Sequence, residues 1–115
     1  VKEAAHDNLV EHNRCTKQLD DESGGLDARG DNNTFRYNEI YGNKGAGVRL
    51  GGDSDSDGIN NHVYGNTIRD NGGNGIKILR SPQGKICENT FSNNAESSLG
   101  GEYGEGRYGN ITCPE

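Results

Sequence analysis

Apolar residues recur at fixed places along this chain, and the polar stretches between them repeat as well. The motif Asn-x-(Ile/Phe)-x-x-Asn spans Asn38 to Asn43, Asn66 to Asn71 and Asn89 to Asn94, with leading asparagines 28 and then 23 residues apart. Three places before each leading asparagine stands an apolar residue: Phe35, Val63, Ile86. Behind the first two copies comes a second shared block, Gly47-Val48-Arg49-Leu50 and Gly75-Ile76-Lys77-Ile78. Val48-Arg49-Leu50 and Ile76-Lys77-Ile78 alternate inward, outward, inward, which predicts short strands. Phe35-Arg36-Tyr37 and Val63-Tyr64-Gly65 read similarly. No segment carries a helical period. A period in the twenties with this grammar predicts a stack of similar supersecondary units.

A degenerate first unit precedes these copies. Val10, Asn13, Cys15 and Gln18 align with Phe35, Asn38, Ile40 and Asn43, and Gly25-Leu26-Asp27-Ala28 echoes the second block. The reading is one domain over 1–115: a candidate N-terminal cap at 1–8, coils over 9–99 and a glycine-rich tail at 100–115. Several short strands per unit, with Asn and Gly at the corners, describe coils of parallel β-helix, about four in number. Stacking places equivalent residues about 4.8 Å apart, so aligned asparagines can bond from rung to rung. The interior columns should be Cys15/Ile40/Ile68/Phe91 and Phe35/Val63/Ile86, with Val48/Ile76 and Leu50/Ile78 extending two more. The outward columns should be Asp27/Arg49/Lys77/Ser98 and Arg36/Tyr64/Cys87.

Composition changes this picture little. With 28% hydrophobic residues, 19 glycines and a mean hydropathy of −1.01, the chain would read as disordered but for the repeat. A net charge of −6 disfavours nucleic acid and anionic membrane surfaces as partners. The chain contains no methionine. That is expected of a processed mature chain or a piece of a longer one, and a secreted, extracellular or cell-surface protein fits.

The repeat resembles the right-handed parallel β-helix of the pectin-lyase-like superfamily. It is similar to the Asn/Gly-rich repeats of NosD-type proteins and mannuronan epimerases, over roughly residues 8 to 99. The resemblance implies a right-handed solenoid. It leaves activity open, because the superfamily includes lyases, hydrolases, epimerases, adhesins and phage spikes. A lyase or epimerase of this kind would place its base and charge-neutralising residues on an outer face.

Asp53, Asp55 and Asp57, ahead of Gly58, match the first half of an EF-hand calcium loop, with carboxylates at alternate positions able to turn toward one hard cation. Tyr64 stands where the bidentate Glu belongs, so calcium would bind modestly; the alternative is a solvated acidic insertion. Arg49, Lys77 and Tyr64 are candidates for facing a glycan, against simple cross-rung pairing of Asp27 with Arg49. Asn32 and Asn110 head N-glycosylation triplets at chance frequency. Arg29-Gly30-Asp31 spells an integrin-type tripeptide of the kind chance also produces. Cys87 points outward in this register, and Cys113 lies about one coil later on a tail able to return. A Cys87–Cys113 disulfide is therefore predicted, with Cys15 inward and reduced; the rival is an inter-chain bridge.

No residues form a catalytic constellation, and an enzyme is the less favoured reading. Two classes stand: an extracellular structural module stacking end to end with copies of itself into fibres, and a polysaccharide-binding or polysaccharide-processing β-helix assisted by calcium.

Overall fold

The computed structural model describes residues 5–52, 54 and 56–103. Among them the chain winds through twelve short parallel strands, three to a coil. Coil 1 holds β1 (Leu9–Glu11), β2 (Arg14–Cys15) and β3 (Gly24–Ala28). Coil 2 holds β4 (Thr34–Arg36), β5 (Glu39–Tyr41) and β6 (Ala46–Leu50). Coil 3 holds β7 (His62–Tyr64), β8 (Thr67–Arg69) and β9 (Ile76–Ile78). Coil 4 holds β10 (Ile86–Cys87), β11 (Thr90–Ser92) and β12 (Leu99–Gly100).

Equivalent strands pair from coil to coil and build three flanking sheets, β1-β4-β7-β10, β2-β5-β8-β11 and β3-β6-β9-β12. No described residue forms a helix. The interior columns follow the expected register. Cys15 pairs with Ile40, Ile40 with Ile68, and Ile68 with Phe91. Val10, Phe35, Val63 and Ile86 form the second column, and Leu26, Val48 and Ile76 the third. Phe35, Ile40, Val48, Val63, Ile68 and Ile76 are all at most 1% exposed. Few apolar residues suffice because each is shared between the coils above and below.

One expected pairing is corrected. Ser98 does not stand beside Lys77; Leu99 pairs with Ile76 and Gly100 with Lys77. Leu99 takes the inward place over Ile76 because it is the apolar residue this segment offers to the core.

The corners explain the wealth of asparagine. A left-handed residue precedes the amide-bearing residue at every ladder position except Gln83, which follows Pro82. Asp7, Asn32 and Asn60 (φ 58°, 58°, 57°) precede Asn8, Asn33 and Asn61. His12, Tyr37, Gly65 and Glu88 (φ 58°, 56°, 69°, 54°) precede Asn13, Asn38, Asn66 and Asn89. Lys17, Gly42, Asp70 and Asn93 (φ 66°, 65°, 57°, 53°) precede Gln18, Asn43, Asn71 and Asn94. The left-handed conformation turns the chain through the corner. The amide behind it then satisfies the backbone groups that the turn strips from the sheets.

Each ladder has one direction. Asn38 donates its backbone N–H (2.9 Å) and its Nδ2 (3.1 Å) to Oδ1 of Asn66. Asn66 donates in the same way to Asn89, at 3.0 and 3.1 Å. The second amide hydrogen of Asn66 reaches back to the carbonyl of Phe35 at 3.0 Å. The third ladder repeats this from Asn43 to Asn71 to Asn94. The first ladder ends on Gln83, whose Oε1 accepts from Asn61 N–H at 3.0 Å while its Nε2 donates to the carbonyls of Gly58 and Arg80. The longer side chain does not take up the Asn61 amide, whose buried Nδ2 has no partner.

Candidate functional site

The outer flanks of the first two sheets carry cross-rung networks. On the first, Arg36 lies between Glu11 on coil 1 (Nε to Oε2, 3.2 Å) and the Tyr64 hydroxyl on coil 3 (Nη1 to Oη, 3.1 Å). The bond to Tyr64, then that to Glu11, raise the Arg36 pKa further and hold its charge. Lys85 sits 4.6 Å from the Tyr64 ring centroid, a cation–π distance. At the adjacent corner His12 stacks on Tyr37 at 5.6 Å, and Tyr37 meets Tyr64 edge-on at 6.0 Å.

On the second sheet Glu39 is ion-paired with Arg14 (3.4 Å) below and accepts from Arg69 (3.1 Å) above. Arg69 also bonds Asp70 at 2.8 Å and lies 4.3 Å from the Tyr41 centroid. Its pKa is raised by Asp70 first and Glu39 second. On the third sheet Asp27, Arg49 and Lys77 stand in register. Burial pushes the Asp27 carboxyl up, while the Gly24 N–H bond, Arg49 and Arg29 pull it down. Arg49 turns its Nη1 to the Gly51 carbonyl at 3.3 Å.

The two ends of the stack differ from the flanks. Several core residues of the terminal coils are only partly buried, Val10, Cys15 and Leu26 on coil 1 and Phe91 and Leu99 on coil 4, whereas Ala28 and Ile86 are fully covered. At the coil-1 end the Gln18 Oε1 is buried with no hydrogen-bond partner.

Residues 3–112 match the family described as the right handed beta helix region. The chain belongs to this right-handed β-helix family. Neither the comparison with curated proteins nor that with solved structures finds a match. The right-handed solenoid implied by the resemblance therefore holds, as does the count of about four coils read from the repeat.

The β-helix distributes the predicted site residues widely. Arg49 and Lys77 share one flank, but Tyr64 lies on another sheet, so the three do not line one groove. Asp53 and Asp55 lie outside the described residues. Asp57 is half-buried, and its carbonyl accepts from Gly52 N–H at 3.0 Å. The base of this loop is closed by Asp31, whose Oδ1 accepts from Gly58 and Ile59 N–H at 2.8 and 2.9 Å, and by Arg80, which donates to the Ser54 carbonyl at 2.9 Å. Asp31 is thus committed to holding a turn rather than offered on a recognition loop. Among the described residues no group of three or more His, Cys, Asp or Glu side chains is arranged to hold a metal.

Cys15 is a free thiol in its interior column, and burial raises its pKa. Cys87 is half-buried on the outer flank beside Tyr64, as its register requires. Cys113 and Asn110 lie outside the described residues. Asn32 is an exposed left-handed corner. Sequence reasoning missed the first amide ladder, Asn8/Asn33/Asn61/Gln83. The spacing that would have found it is five residues from Asn33 to Asn38 and five from Asn61 to Asn66.

Proposed function

We propose that this β-helix is an extracellular structural module that assembles with copies of itself through the ends of its stack. The observation that carries this reading is the contrast between flanks and ends. Tyr37, Tyr41 and Tyr64 each already hold a cation or ring from the chain itself, and Arg36 and Arg69 are ion-paired. Such a surface is largely satisfied. The ends instead leave several core side chains half-covered and, among the described residues, stack no strand beyond β1–β3 or β10–β12, and open strand edges invite another chain. Light scattering over a wide concentration range, with negative-stain imaging, tests the idea. Rods that lengthen with concentration are expected; monomers at every concentration would sink it.

Polysaccharide binding or processing is the weaker alternative, because its candidate residues divide between two flanks. Calcium at Asp53, Asp55 and Asp57 belongs to either reading. Titration calorimetry without heat, and a melting temperature indifferent to chelator, would remove it. The extracellular placement leans on a Cys87–Cys113 bridge, since such bonds persist in oxidising compartments. It would contribute about 3 kcal/mol in the chain-entropy model. Non-reducing peptide mapping should find that pair; a disulfide containing Cys15 would argue against it.

A further inference from the structure

The direction of the ladders says how two copies meet. Within the second and third ladders, the inner asparagines donate their backbone N–H and one amide hydrogen toward the C-terminal coil and accept on Oδ1 from the N-terminal one. Coil 4 therefore ends on donors. The backbone N–H groups of Asn89 and Asn94 bond no described residue, and each Nδ2 has one bond, to the carbonyl of Val63 or Ile68. Coil 1 ends on acceptors. Oδ1 of Asn8 and Asn13 accepts no described hydrogen bond, and Gln18 Oε1 is buried without a donor.

We propose that the coil-4 end of one chain docks on the coil-1 end of a second copy, head to tail and in rung register. This deepens, and rests on, the assembly reading above. The opposite orientations mismatch the ladders: head to head sets their acceptors on acceptors, and tail to tail sets donors on donors. In the head-to-tail arrangement Asn89 and Asn94 donate to Asn13 and Gln18 of the next copy. Phe91 then covers the next copy's Cys15, continuing that column. The corner column brings Glu88 beside the next copy's His12, a compatible pair. The interface is heterologous and, applied repeatedly, builds a filament rather than a closed dimer.

Cross-linking decides the polarity. Arg14 leads the outward column Arg14/Glu39/Thr67/Thr90, its side chain is 78% exposed, and Thr90 is exposed at the other end. In rung register the two positions of neighbouring copies stand about 4.8 Å apart, within disulfide reach. One chain carries Arg14→Cys and another Thr90→Cys; circular dichroism checks that both fold. After mixing and oxidation, we expect a covalent dimer whose mapped bond joins positions 14 and 90, and none above wild-type background in either variant alone. A bond joining 14 to 14 or 90 to 90 would overturn the polarity while leaving assembly intact. Oligomers by light scattering without any 14–90 bond would overturn it too, by showing another contact. Monomers throughout would overturn both readings.

Discussion

A buried asparagine ordinarily costs stability, yet Asn38, Asn43, Asn66 and Asn71 are each at most 2% exposed. They are tolerated because each amide is spent: Asn66 engages Asn38, Asn89 and the Phe35 carbonyl together. Asn66→Leu should therefore cost about 2–5 kcal/mol in urea unfolding, since it leaves the Asn38 N–H buried and unpaired and removes the amide bond to the Phe35 carbonyl. Asn66→Asp keeps the acceptor but points a carboxylate oxygen at the Phe35 carbonyl. Burial there raises the acid's folded pKa above its unfolded value, so stability falls as pH rises. The variant should be far weaker at about pH 7 than at about pH 3 relative to wild type; an equal deficit at both would contradict the ladder. Ile68→Ala should cost about 2–5 kcal/mol through its cavity. These residues were legible because they recur with one identity at one spacing. The first ladder was not, because its fourth rung is Gln83, which accepts the Asn61 backbone N–H under a different letter.

At the scale of the element, strands of two to five residues would not survive alone; each is held by its neighbours above and below. Corners decide where they start. Left-handed backbone is carried by His12, Tyr37 and Glu88 in the column that also holds Gly65, so the conformation itself does not demand glycine there. Space does: a Cβ on Gly65 would lie 2.7 Å from Tyr37 Cδ1, whereas on Gly42 the nearest contact is Thr16 Oγ1 at 3.1 Å. Gly65→Ala should destabilise more than Gly42→Ala and shift Tyr37 ring resonances, as thermal melts and NMR can show. The interior register of the first three coils was readable from alternation. The last strand was not, for a physical reason. Placing Ser98 at Lys77 instead of Gly100 is a slip of two residues, and a slip of two keeps every side chain on its own face. Hydrophobic pattern is blind to it; packing of Leu99 on Ile76 settles it.

The whole molecule is a one-dimensional stack in which each coil touches only its neighbours, so opening should begin at the ends. Cys15 reports on one end. Burial raises its pKa, so its contribution to stability is present below the ordinary thiol range, about 8.5, and is lost as pH rises through the folded value. Alkylation should be slower than for an unfolded control at every pH, and Cys15→Ser should flatten the alkaline fall in stability. The ladders have one more consequence, in time rather than in space. Asn71-Gly72 and Asn74-Gly75 are dipeptides whose glycine nitrogen readily attacks the side-chain amide, expelling ammonia and leaving aspartate or isoaspartate after hydrolysis. Here the Gly72 N–H is tied to the Asn43 carbonyl at 2.8 Å and the Asn71 amide to Asn94 at 2.9 Å. The bonds that shape the coil thus also slow its ageing, and the shelf life of the protein is set by how often a rung comes undone.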